Sequence, residues 1–231
     1  MRQLRTMQRA RRLAFVAVLP LLGVLALAGC RSEPGVAAYA GSTKYTVEQV
    51  DALVGEVKGR LSDFGPARQL VLSWLIINDL GRAELERRHV SPKPGDVKAI
   101  EAQLGLEPGS PLAKLNSDLT AVLDGLGSSL TPVDPTEAEQ REVYSHVDAG
   151  GGQLRPFEDV RDQLGKDAIG LPIALQRELK ELVVAGKVQV NPRYAPVSFP
   201  VNVRLNGATS QAIVPLSGST TSPVTEASGS A

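Results

Sequence analysis

Residues 70–80 read Leu-Val-Leu-Ser-Trp-Leu-Ile-Ile-Asn-Asp-Leu, a run that is apolar around nearly the whole circumference of a helix. With its 11 residues the run is too short to cross a bilayer, which takes about 20 apolar residues. A helix that is apolar all round is normally buried in the protein interior. The run therefore predicts a buried central helix, and its strongly charged continuation, residues 82–88, is expected to be exposed.

Three further segments carry apolar residues at the spacing of amphipathic helices. The first begins at Thr46, where Gln49 completes a capping-box pattern, and the second covers residues 112–126. The third covers residues 156–182, and we expect Pro172 to kink or split it. Aromatic residues make up only 4% of the chain, which favours an aliphatic helical core over an all-β sandwich. The predicted fold class is therefore mainly α.

The predicted β structure is small. Residues 36–39 and 44–45 flank an Ala-Gly-Ser-Thr turn and predict a β-hairpin. Residues 187–191 predict a short strand, which we expect to pair with the hairpin and so join the two ends of the domain. Residues 197–203 are a candidate for one more strand. The C-terminal region, 195–231, is rich in Ser and Thr towards its end and is predicted to be an extended or disordered tail.

The N-terminus has the layout of a secretory signal. Residues 1–29 contain five arginines and no acidic residue, and they include an apolar stretch that ends in Leu-Ala-Gly before Cys30. This ending resembles the bacterial lipobox, in which the cysteine is lipidated after cleavage. Cys30 is the only cysteine of the chain. We predict a signal peptide over 1–29, lipidation of Cys30 and a tether over 30–35; the alternative is an uncleaved signal anchor.

Composition and motifs argue against several classes of function. Residues 30–231 hold 20 basic and 25 acidic residues, a net charge of −5, whereas a protein that binds nucleic acid through its phosphates is usually basic. One cysteine and two distant histidines give no metal site or redox pair. The sequence has neither a P-loop nor a hydrolase or dinucleotide motif, so we expect no nucleotide, no cofactor and no enzymatic activity.

Three segments resemble one family, in the family's order. Residues 36–50 read Val-Ala-Ala-Tyr-Ala-Gly-Ser-Thr-Lys-Tyr-Thr-Val-Glu-Gln-Val, similar to the entry segment of the SurA/PrsA-type extracytoplasmic foldases. Residues 136–144, Thr-Glu-Ala-Glu-Gln-Arg-Glu-Val-Tyr, resemble a helix of the same family. Residues 156–164 and the strand near 188–192 resemble the helix and strand that close its core.

The resemblance implies a helical chaperone core over residues 36–194. Family members with rotamase activity carry a parvulin domain between the second and third segments, but only residues 145–155 lie there in this chain. The resemblance therefore implies a membrane-tethered chaperone or holdase without prolyl isomerase activity. It would bind unfolded or exported polypeptides outside the cytoplasm, at the cell membrane, and would use neither ATP nor nucleic acid.

Two other functions stay open. The chain is alternatively a structural or protein-interaction lipoprotein of the cell envelope that has the fold without client binding. A solute-binding lipoprotein would more often have two α/β lobes, which this helical pattern does not predict. Four apolar residues, Leu53, Val57, Trp74 and Leu75, are candidates for lining a client groove, although ordinary core packing is the better explanation of all four.

Overall fold

The computed structural model describes residues 34–57, 64–148, 154–205 and 208–217. Within these residues the helices are α1 (Val47–Gly55), α2 (Phe64–Arg87), α3 (Val97–Leu104), α4 (Pro111–Ser128), α5 (Glu137–Ser145), α6 (Phe157–Val160) and α7 (Lys166–Ala185). The strands are β1 (Val36–Ala40), β2 (Thr43–Thr46), β3 (Gln189–Val190), β4 (Ser198–Leu205) and β5 (Ala208–Pro215). The predicted class, mainly α with a small β component, is confirmed.

Helix α2 is the central element of the fold. Its apolar residues Leu72, Ile76 and Ile77 are fully buried, as the run at 70–80 predicts. The helix packs against α1, α4 and α7 and against strands β1 and β4. The prediction that residues 82–88 are exposed is wrong in part, because Glu84 and Leu85 are buried. Glu84 tolerates burial because two arginines, Arg87 and Arg88, donate hydrogen bonds to its carboxylate.

The two ends of the helical core meet in a three-stranded antiparallel sheet with the order β2-β1-β3. The predicted pairing of the late strand with the hairpin is confirmed, although the strand is only Gln189–Val190. Asn191 extends the junction, since its side-chain amide donates to the carbonyl of Val36 at 2.8 Å. The turn between β1 and β2 needs Gly41, whose φ is +57°. After β2, the Thr46 hydroxyl accepts a hydrogen bond from the Gln49 amide and begins α1, as expected.

Strands β4 and β5 form a second antiparallel sheet that covers α7 and also contacts α2 and α5. The prediction that residues 195–231 form an extended or disordered tail is therefore wrong for Ala208–Pro215, while residues 218–231 lie outside the described residues. The physical reason is a short period-2 pattern within the Ser/Thr-rich segment. Ser210, Ala212 and Val214 alternate inward and are buried where the sheet packs on α5 and α7, and the average composition of the tail hides this pattern.

The predicted long helix over residues 156–182 is interrupted at a position other than the one expected. A 3₁₀ turn, Arg161–Leu164, follows α6, and the extended backbone of Gly165 then begins α7. Helix α7 continues through Pro172. The break therefore falls at Gly165 and not at Pro172.

The predicted signal peptide, 1–29, and Cys30 lie outside the described residues. Of the helices in the described ranges, none combines the length and the apolar character that crossing a bilayer requires.

Candidate binding groove

A groove of about 690 Å³ lies between α2, α4, α7 and strand β4. Each of the three helices contributes a pair of apolar side chains one helical turn apart, at positions i and i+4. These pairs are Leu70 and Trp74, Leu119 and Leu123, and Leu171 and Leu175. Residues four apart project from the same face of a helix, so the three pairs give the groove three apolar walls.

The apolar side chains become more exposed towards the mouth of the groove. Leu119 and Phe199 are buried at its base, with 4% exposure each. Trp74 and Leu175 are half-buried, whereas Leu70 and Leu171 are 38% and 41% exposed. Large apolar side chains that are left in water gain about 25 cal/mol for each Å² that a partner covers. The groove therefore offers favourable burial to an apolar ligand.

Two of the polar side chains that α4 contributes to the groove already form hydrogen bonds within the helix. The hydroxyl of Thr120 donates to the carbonyl of Asn116 at 2.9 Å, and the hydroxyl of Ser128 donates to the carbonyl of Gly125 at 2.9 Å. Asp124 is the one charged side chain among the lining residues that the structure describes. A ligand therefore meets the apolar side chains together with the amides of Asn116 and Asn202 and one negative charge.

Arg88 ties together the three helices of the groove at the end where α4 stops. Its guanidinium donates hydrogen bonds to Glu84 on α2 and to Glu178 on α7. It also donates to the hydroxyl of Ser129, the residue that follows α4, at 3.1 Å. The hydrogen bond from Arg87 is the main cause that lowers the pKa of Glu84 to about 2, so this carboxylate is charged at neutral pH. The cluster fixes the spacing of the groove walls.

The residues that the sequence proposes for the groove do not lie together. Trp74 lines the groove described above. Leu75, its neighbour in sequence, is 8% exposed and belongs to the core. Leu53 and Val57 are half-buried against the core at α1 and are not lining residues.

The sequence analysis missed the walls formed by α4 and α7. The signal that points to them is a second apolar face on a helix whose main stripe is already buried. On α4, the stripe that includes Leu112, Leu115 and Leu126 is buried, and Leu123 falls outside it. Strand β4 forms at the candidate strand 197–203, but the sequence pattern does not indicate that it borders a groove.

The motif residues that resemble the foldase family have structural roles here. Thr136 and Glu139 form a capping box at the start of α5. The ring of Tyr144 packs edge-on against Phe157, with centroids 5.5 Å apart, and its hydroxyl donates to the carbonyl of Arg155. These contacts join α5 to α6, which is how the second and third motif segments meet without a domain between them.

A smaller cavity of about 460 Å³ lies on the other side of this aromatic pair. Its lining includes Tyr144, Leu164 and Leu205, together with the charged side chains of Arg155 and Arg204. It is smaller and more highly charged than the groove. In the part of the chain that the structure describes, no three His, Cys, Asp or Glu side chains lie close enough to hold a metal ion.

Comparison with protein-family models, with curated proteins and with solved structures finds no match for this chain. The likeness to the SurA/PrsA-type foldases stays a prediction from the three motif segments.

Proposed function

We propose that this chain is a membrane-anchored, extracytoplasmic lipoprotein that acts as an ATP-independent chaperone, or holdase, for exported proteins, without prolyl isomerase activity. The observation that carries the proposal is the groove between α2, α4, α7 and β4, with half-exposed leucines at its mouth. An unfolded polypeptide exposes apolar side chains that such a surface can cover. The predicted lipidation of Cys30 would hold the groove at the membrane.

The shape and chemistry of the groove suit reversible binding. Micromolar affinity corresponds to about −8 kcal/mol, whereas covering a partly exposed leucine contributes about 1 kcal/mol, so a client held by a few of them binds at micromolar affinity or more weakly. The groove lacks the many fixed polar contacts that would select one ligand. A client can therefore dissociate without nucleotide hydrolysis once burial of its apolar side chains in its own core is more favourable than burial in the groove.

The holdase activity is tested with the full chain in lipid nanodiscs and several unrelated denatured proteins, with light scattering as the measure of aggregation and no ATP. We expect suppression at near-stoichiometric amounts. Leu171→Ser should require several-fold more protein, because Leu171 stands at the mouth of the groove. Val184→Ser is the matched control, since Val184 is 78% exposed on the same helix and outside the groove.

A wild-type chain that suppresses aggregation of none of these proteins would refute the chaperone function. A single stable partner after crosslinking in membranes, without a broad set of clients, would instead favour the structural or protein-interaction lipoprotein.

The predicted membrane anchoring through Cys30 is tested separately. Cys30→Ala should abolish incorporation of a labelled fatty acid and release the chain from the membrane fraction. Ser32→Ala, two residues away, is the control and should leave both unchanged. A Cys30→Ala chain that still carries the labelled fatty acid would contradict lipidation at this position.

A further inference from the structure

Strand β4 has one paired edge and one unpaired edge. It pairs with β5 along its whole length, from Ser198 opposite Pro215 to Leu205 opposite Ala208. The sheet holds these two strands, and no hydrogen bond among the described residues reaches the other edge of β4. Unpaired strand edges present rows of N–H and C=O groups that can template another strand.

The register decides which backbone groups lie on the unpaired edge. The backbone N–H and carbonyl of Ile213 in β5 point away from β4, because the N–H donates to Glu142 and the carbonyl accepts from Gln176. Its partner in β4, Pro200, is therefore in a non-hydrogen-bonded pair, and it has no N–H to offer. Since such pairs alternate along an antiparallel ladder, the backbone of Asn202 also points away from β5.

This unpaired edge faces the groove. Four consecutive residues of β4, Phe199 to Asn202, line the groove. Successive side chains of a strand point to opposite faces of the sheet, so a cavity on one face is lined by every second residue. A cavity lined by consecutive residues lies instead along the edge of the strand. The carbonyl of Pro200 and the N–H and carbonyl of Asn202 therefore lie at the rim of the apolar surface.

We propose that a client binds in this groove as an extended strand that adds to the unpaired edge of β4. The inference rests on the proposed function and specifies how the groove recognises its occupant. Backbone hydrogen bonds are the same for every sequence, so strand addition gives affinity without restricting the client. Alternate side chains of the added strand enter the groove over Leu171 and Leu175, and the others face solvent.

The preferred client is therefore an extended segment in which apolar and polar residues alternate. The negative charge of Asp124 favours a Lys or Arg among the polar residues of that segment.

Pro200 limits the strength of this pairing. Because it lacks an N–H, the ladder that a client can form along β4 is interrupted at this residue. Edge prolines in natural sheets prevent permanent pairing with other chains. In this groove the interruption keeps a bound strand exchangeable, which a chaperone without ATP requires.

The test measures binding of a fluorescein-labelled peptide of alternating Val and Thr with one Lys to the full chain in lipid nanodiscs. Two forms of the peptide carry N-methyl groups on alternate residues, either the odd or the even set. N-methylation removes the donors along one edge of an extended strand. We expect one N-methylated form to bind about tenfold more weakly or worse, since several backbone hydrogen bonds are lost, and the other to bind like the unmodified peptide.

Asn202→Pro tests the protein side of the contact. This change removes an N–H that the β4–β5 ladder does not use, as Pro200 shows two residues earlier. We expect Asn202→Pro to weaken peptide binding about tenfold, as loss of a backbone hydrogen bond does, while Asn202→Ala keeps the N–H and leaves binding unchanged. Far-ultraviolet circular dichroism and the thermal midpoint check that both variants keep the fold.

The outcomes separate this inference from the proposed function. If Leu171→Ser weakens binding but neither N-methylation nor Asn202→Pro has an effect, clients bind by side chains alone and strand addition is wrong. If the peptide and all denatured proteins fail to bind, the proposed function itself is refuted.

Two other occupants of the edge would also overturn the inference. A dimer in sedimentation that Asn202→Pro converts to a monomer would assign the edge to a second copy of the chain. A rise of about tenfold or more in peptide affinity after deletion of residues 218–231 would assign it to the chain's own C-terminal segment.

Discussion

The side-chain amide of Gln176 on α7 donates a hydrogen bond to Oε1 of Glu142 on α5 at 2.7 Å. Gln176 is fully buried, and its Nε2 also donates to the carbonyl of Ile213 at 2.8 Å. The same Glu142 oxygen accepts from the Ile213 N–H at 2.7 Å. Two helices and the outer edge of β5 thus share one polar contact inside an otherwise apolar layer.

Replacement of Gln176 by leucine should destabilise the protein strongly. The change leaves the Ile213 carbonyl without a partner and takes a donor from the Glu142 carboxylate, which costs about 2–3 kcal/mol of unfolding free energy. Urea unfolding of the full chain, followed by circular dichroism, measures the loss. Gln103→Leu, at an exposed position of α3, is the control and should change stability little. Equal midpoints for the two variants would contradict the structural role of the contact.

Acid should weaken the fold through two carboxylates. Hydrogen bonds from Arg87 and Arg177 are the main causes that lower the pKa values of Glu84 and Glu139, respectively, from 4.5 to about 2. A pKa that is lower in the folded state than in the unfolded state stabilises the fold fully above about pH 5.5. This contribution is lost as the pH falls from about 4.5 towards 2.

The variant Glu84→Gln should lower the unfolding free energy by about 1–2 kcal/mol at pH 7 and by clearly less near pH 2, where about half of the wild-type carboxylates are protonated. The exposed Glu86 on the same helix supplies the control, Glu86→Gln. Unfolding curves at a series of pH values measure both variants. A deficit of Glu84→Gln that is the same at pH 7 and pH 2 would show that charge does not cause it.

The sequence predicts the interior of this protein better than it predicts the candidate groove. The apolar run at 70–80 requires burial in any fold, and α2 is buried. The Val-Gln-Val alternation at 188–190 predicts a short strand, and β3 forms there. Burial of α2 and the presence of β3 depend on local pattern alone, whereas the pairing of β3 with the hairpin follows from the expectation that the two ends of the core meet.

The groove depends on how helices are placed, which no local pattern contains. Leu119 and Leu123 are neighbours on α4 in any helix, and both line the groove because of the position of α7 and β4, with Leu119 buried and Leu123 half-buried. Strand β5 was missed for a related reason. Its alternation is short and Ser/Thr-rich, and burial against α7 is what makes the strand stable.

Close packing between α2 and α4 depends on Gly81. A Cβ at this position would lie 2.5 Å from Cγ1 of Val122 and 3.3 Å from Cδ1 of Leu126. Gly81→Ala should therefore lower the unfolding free energy by about 1–3 kcal/mol, although alanine is the better helix former. The double variant Gly81→Ala with Val122→Ala should recover part of the loss. Gly127→Ala is the control, because a Cβ at that position would have no atom within 4 Å, and the change should be neutral or slightly stabilising.

Trp74 should report occupancy of the groove directly. It is the only tryptophan of the chain, and its half-buried ring lines the groove beside Leu70. Binding of the alternating Val/Thr peptide, here without its label, should exclude water from the indole, move its emission to shorter wavelength and reduce quenching by acrylamide. The shift should saturate at the peptide concentration that saturates anisotropy, and Leu171→Ser should move both curves to higher concentration together. Anisotropy that rises without any change in Trp74 emission would place the peptide elsewhere, for example at the smaller cavity beside Tyr144.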